Sequence, residues 1–170
     1  MKPEIYKLAC TSKGHPYVLS GALPVGYFDQ FFNGRQLPAG WRPPEHSVRG
    51  ERNKSADIVA WKEALPLLSA RAVEVFESIA PGCAEYKLFT EIKREPFFVI
   101  NVLAAEDSSV DPPVFKPRER FYEPVLVTRA IPEAVVAHRL IGFQFRNPFI
   151  SETSALFHNQ NTNIVPGILP

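Results

Sequence analysis

The chain of 170 residues has two cysteines, Cys10 and Cys83, which are too few for a secreted disulfide framework and too far apart for a CxxC site. It also lacks an apolar run of the length needed to cross a bilayer. The longest clean stretch, Phe97 to Ile100 resumed at Val102 to Ala105, is far short of 18 residues, which excludes a helical membrane span. Charges at Lys2, Glu4 and Lys7 interrupt the region where a cleavable export signal would need an apolar core. Together these features point to a reducing cytoplasm. Charge of one sign is missing as well: 19 basic and 18 acidic residues give a net charge of +1 and are spread evenly along the chain. Without a basic block, neither nucleic acid nor an anionic membrane is indicated as a partner.

What is present is ordinary globular composition, 45% hydrophobic and 22% charged, in a length suited to a single domain spanning 1–170. Seventeen prolines, from Pro3 to Pro170, make long helices scarce, because each removes a backbone donor and pushes the preceding residue toward extended geometry.

Periodicity supplies the elements. Glu4 to Cys10 alternates as a half-buried strand, expected at a sheet edge. Pro24 to Asn33 places Phe28, Phe31 and Phe32 on one helical face, with Gly34 as a stop. From Arg35 to Lys54, prolines and glycines surround Trp41 and predict a long loop anchored to the core by that indole. Ser69 to Ala80 is the clearest helix, with Ser69 as N-cap and Ala72, Val73, Phe76, Ile79 and Ala80 as its apolar stripe. Tyr86 to Glu91 and Pro96 to Ala104 read as strands, the second central and carrying Asn101 as its one polar residue. Arg139 to Arg146 alternates as a strand with one wet face, and Ser151 could cap a short helix. The predicted class is α+β: a mostly antiparallel sheet packed on one main helix, with smaller helices and long proline-bearing loops.

Chemistry is harder to find. His15, His46, His138 and His158 stand in separate segments with no metal-ligand spacing, and no nucleophile elbow or phosphate-binding glycine pattern occurs. No catalytic residue, cofactor or metal is assigned. The acidic cluster Glu106, Asp107 and Asp111, followed by Lys116, Arg118 and Arg120, sits among serines and prolines and reads as a solvated loop.

Asp57-Ile58, the run Pro66-Leu67-Leu68-Ser69-Ala70-Arg71-Ala72, the helix to Ile79, the Tyr86 to Phe89 strand and Phe98-Val99-Ile100-Asn101-Val102 resemble a family of bacterial immunity proteins from polymorphic toxin systems, the myxobacterial-type immunity domain. Fainter similarity continues through Phe143-Gln144-Phe145-Arg146, Ile150-Ser151 and Gly167. The resemblance implies a non-enzymatic cytoplasmic protein that binds a cognate toxin, encoded by an adjacent gene, and blocks it by protein–protein contact. It supplies no catalytic residue. The two long loops then become the candidate interface, with Trp41, Arg42, Glu106, Asp107, Arg118 and Arg120 as its residues. Two other readings compete. One is a generic protein- or peptide-binding module using the exposed edge of the Glu4 or Arg139 strand. The other is a small enzyme that gathers at least two of His15, His46, Asp57, His138 and His158 in one pocket.

Overall fold

The computed structural model describes residues 4–11, 15–50, 55–61, 65–105, 112–117 and 124–148. The chain builds two sheets and three helices. In order these are β1 (Ile5–Cys10), β2 (Tyr17–Ser20), α1 (Tyr27–Phe31), β3 (His46–Arg49), β4 (Ile58–Trp61), β5 (Pro66–Ser69) and α2 (Ala70–Ile79). Then follow β6 (Ala84–Ile92), β7 (Glu95–Val102), β8 (Val114–Phe115), β9 (Leu126–Thr128), α3 (Ala130–Ala137) and β10 (Phe143–Arg146). One sheet has the order β3-β2-β4-β5-β7-β6, the other β10-β1-β9-β8. Only the β2–β4 pair is parallel among these ladders, so the fold is α+β with a predominance of antiparallel pairing.

The larger sheet is buried on both faces at its centre. Paired residues in an antiparallel ladder share a face, which sets Val59, Leu67 and Val99 on one side and Ile58, Leu68 and Phe98 on the other. The second side meets α2, which also packs on α3, while α3 rests against β9 and β1 crosses β4 and β5. Phe76 of α2 lies 5.9 Å from the ring of Phe143 in β10, joining helix and small sheet. The first side is roofed by α1 and the chain that follows it, through a cluster of aromatic rings described below.

Helix α2 forms as its sequence requires. Ser69 is extended at the N-cap and its hydroxyl accepts from the Ala72 amide, while Ala72, Val75 and Phe76 face the interior. Strand β6 extends beyond its expected bounds, β7 starts one residue earlier and ends two residues sooner than expected, and β7 is flanked on both sides as its apolar pattern demands.

Several expectations need correction. The Glu4–Cys10 segment is an interior strand, because β9 and β10 pair on either side of it. The 35–54 loop is interrupted by β3, which lies antiparallel to β2. Helix α1 is shorter than Pro24 to Asn33 and begins after Gly26, whose left-handed conformation (φ 78°) redirects the chain. Strand pairing in the last alternating segment starts only at Phe143, since Arg139 and Gly142 both have positive φ and turn the chain first. A second substantial helix, α3, holds Pro132 in its first turn, where a missing amide costs little. The expected Ser151 helix lies outside the described residues.

Candidate functional site

Two places concentrate polar chemistry, and they differ in kind. At the first, Asp57 precedes β4 and receives three bonds on its carboxylate. The Ser69 hydroxyl donates to Oδ1 at 2.9 Å, and the Arg71 guanidinium and the Ile141 amide each donate to Oδ2 at 2.8 Å. Its backbone is tied too: the Asp57 amide donates to the Ile141 carbonyl and the Ser69 amide to the Asp57 carbonyl. Arg71 then reaches the Arg139 carbonyl at 3.0 Å. One side chain thus fastens β4, the start of α2 and the turn leading into β10. Asp57, Ser69, Arg71 and Ala72, all within the segments that carry the family resemblance, converge here. Their geometry is that of a structural staple with every acceptor in use. A cavity of about 340 Å³ adjoins it, lined by Asp57, Ser69, Arg71, Glu95 and Ile141 among others.

The second place is the outer end of the larger sheet. Strand β6 is its last strand, and its register slips by one residue between Leu88 and Thr90. That bulge re-aims Phe89, which is buried beneath the loop while its neighbour Leu88 stays 53% exposed. Phe89 stacks at 4.6 Å from Trp61, 4.9 Å from His46 and 6.4 Å from Trp41. Trp41 also meets Phe32 edge-on at 6.0 Å. Tyr27, Phe28 and Phe32 complete the layer around Trp61. The Trp61 indole N–H donates to the Ser20 hydroxyl at 3.1 Å.

The loop is held beside β6 by a polar tie. Glu85 accepts from the Leu37 amide at 2.7 Å and from the Asn101 side chain at 3.0 Å, and Asn101 also donates to the Arg35 carbonyl at 2.8 Å. Lys87 pairs with the other Glu85 oxygen at 3.1 Å. Burial alone would raise the Glu85 pKa, but the Leu37, Asn101 and Lys87 contacts outweigh it and hold the carboxyl below its ordinary value. Asn101, expected to need partners inside a central strand, finds two acceptors for its Nδ2 here, while its Oδ1 completes no hydrogen bond.

Between this loop and β6 runs a groove of about 470 Å³, lined by Ala39 to Pro43 and by Leu88 to Glu91. Trp41 is half-buried in its wall and Arg42 is exposed at its rim. Two buried polar atoms under the groove are left incomplete. The Trp41 indole N–H lies near enough to the Tyr27 hydroxyl to favour its ionised form, though burial prevails and raises that pKa. Neither atom completes a hydrogen bond.

Of the six interface residues expected from the sequence, the structure brings Trp41 and Arg42 together at this groove. Glu106, Asp107, Arg118 and Arg120 lie outside the described residues. Among the described residues, His15, His46 and His138 line neither the groove nor the Asp57 cavity. His46 belongs to the aromatic layer, its Nδ1 2.7 Å from the Pro44 carbonyl, and His138 follows α3, exposed. The two cavities hold Asp57 in one and none of these residues in the other, and His158 lies outside the described residues. Among the described residues no group of three His, Cys, Asp or Glu side chains could hold a metal ion. No helix among them is long and apolar enough to cross a membrane. Both cysteines are free thiols, and burial pushes Cys10 up to about 12.

Leu88, Phe89 and Glu85 were absent from the expected site. The adjacent apolar pair Leu88-Phe89, which breaks the alternation of β6, is the sequence signal that could have marked the bulge. Compared with family models and with curated proteins, the chain matches none.

Proposed function

We propose that this protein is a non-catalytic binding protein of the immunity type, which occupies a cognate toxin encoded by an adjacent gene and blocks it in the cytoplasm. The observation that carries the reading is the groove beside Trp41. A large aromatic side chain and an exposed arginine stand on a loop that Glu85 and Asn101 pin to the sheet. Such a loop loses little conformational entropy on binding, and Trp and Arg are the residue types that most often dominate protein interfaces. The residue pattern from Asp57 to Val102 supports the family part of the reading, and the two free cysteines agree with a reducing compartment.

The test is co-expression with the product of each adjacent gene, scoring growth. The protein is expected to restore growth against one of them and to form a stoichiometric complex with it. Trp41→Ala is expected to weaken that complex by about thirtyfold, the effect of losing roughly 2 kcal/mol at an aromatic anchor. Lack of rescue against every adjacent product would overturn the toxin reading.

A further inference from the structure

The groove has one wall made of side chains and another made of a strand edge. Strand β6 pairs with β7 on one side, and among the described residues no backbone hydrogen bond reaches its other side from Leu88 to Ile92. At nine residues it is much the longest outer strand; β3 and β10 have four each and β8 has two. An accessible edge of that length invites another strand to pair with it. Leu88, among the few large apolar side chains left exposed, sits on this edge beside the groove.

The end of the edge has its own peculiarity. Ile92 pairs with Glu95, so Lys93 and Arg94 alone make the turn, and both adopt positive φ, 53° and 68°. Such two-residue turns favour Asn-Gly, because a side chain in the left-handed region is strained. Two long cations therefore occupy positions where other residues would make a more stable hairpin. Lys93, Arg94 and Arg42 are all exposed, and among the described residues none of them forms an ion pair, whereas Lys87 is engaged by Glu85. Lys93 and Arg94 stand at the turn and Arg42 lines the groove, three cations against Glu91 and Glu95.

We infer that the outer edge of β6 from Leu88 to Ile92 takes an extended segment of a partner polypeptide as a seventh strand, with acidic residues at the end that lies against Lys93, Arg94 and Arg42. The main-chain groups of the edge supply the pairing, and the groove between the Trp41 loop and β6 takes an apolar side chain of the incoming strand. Opposite charge at the turn fixes its direction. This rests on the binding reading above and names the docking segment of the partner.

The probe is a random dodecapeptide library displayed on phage and selected on the full chain. Enriched peptides are expected to alternate β-branched or aromatic residues and to carry Asp or Glu at one end. Bound, they should slow amide hydrogen exchange at residues 88–92 at least about tenfold. Leu88→Lys, at an exposed position, should keep the fold and abolish that protection. Replacing the turn by Lys93→Asn with Arg94→Gly should raise the thermal midpoint yet weaken peptide binding about tenfold, with a shallower salt dependence. A turn of purely structural importance would show the gain in stability with unchanged affinity. No enriched class, or peptides whose binding survives Leu88→Lys while β6 amides exchange freely, would overturn the proposal. Growth rescue separates the two readings. If the Leu88→Lys, Lys93→Asn, Arg94→Gly variant still neutralises an adjacent toxin as wild type does, strand addition falls and neutralisation stands. If peptides dock on β6 and no adjacent product is neutralised, the edge site stands and the toxin reading falls.

Discussion

The Asp57 staple and the Trp41 groove lie at two places on the same sheet, and they are finished to different degrees. At Asp57 both carboxylate oxygens, the backbone amide and the backbone carbonyl are all bonded, and the partners come from two separate segments, Ser69 to Arg71 and Ile141. At the groove, the Trp41 N–H and the Tyr27 hydroxyl are buried without completing a bond, a leucine is exposed, and a strand edge has no pairing partner among the described residues. A buried polar group left unpaired costs stability, and a bare edge risks wrong pairing. Completed bonding marks a part selected to hold the fold. Under the binding reading proposed above, the unfinished bonding beside the β6 edge is the state of an interaction surface before its partner arrives.

The largest expected effect sharpens that contrast. Asp57→Ala leaves the Ile141 amide and the Ser69 hydroxyl without their acceptor and leaves Arg71 with the Arg139 carbonyl but no carboxylate partner. The expected loss is about 2–4 kcal/mol in urea denaturation, from two or more polar groups left unsatisfied. Affinity for the partner, measured below the unfolding transition, should stay unchanged. A large affinity loss with intact stability would reverse the roles given to the two places.

A middle-sized effect probes what ties the groove to the fold. Glu85 has a depressed pKa in the folded protein, so its contribution is fully present above the ordinary carboxylate value of 4.5 and is lost as pH falls through the lower folded value. Glu85→Gln keeps an acceptor for Leu37 or Asn101 and removes the charge. It is expected to cost about 1 kcal/mol at neutral pH and to flatten part of the acid limb of stability against pH. Urea midpoints from neutral to acidic pH in both proteins would check this. A variant as pH-sensitive as wild type would show that the loop is held some other way.

The staple was more legible in the sequence than the groove, for physical reasons. Ser69 as N-cap follows from a local rule and is found in that role, whereas Asn101, a strand residue in need of partners, serves the tie beside the groove. Helix α2 and the β6–β7 pair follow from long, regular patterns. Short strands such as β2, β4 and β5 carry only four residues each, too few for alternation to stand out, and β4 and β5 are buried on both faces, which erases it. The central position of β1 depends on partners more than a hundred residues away, and no local pattern encodes that. At the groove, Trp41 and Arg42 could be named because a Trp in a proline-rich loop is unusual. The edge it faces could not, since strand order is a property of the assembled sheet.

The smallest expected effect on stability is at Trp41, with Trp61 as its control. Trp61 is buried in the aromatic layer and its N–H is spent on Ser20, so Trp61→Phe both opens a cavity and strands a hydroxyl. It should cost about 1–3 kcal/mol. Trp41→Phe removes a buried N–H that has no completed bond, and this gain offsets the lost ring area. Its stability is expected to stay within about 1 kcal/mol of wild type, a shift of at most about 2–4 °C in thermal midpoint. Partner affinity should fall by more than that change in stability accounts for, because the wider indole wall of the groove is gone. Equal destabilisation by the two substitutions would mean that Trp41 is an ordinary core residue. A stability cost at Trp61 matched by an affinity cost at Trp41 would instead show the same side chain holding the fold at one position and being reserved for a partner at the other.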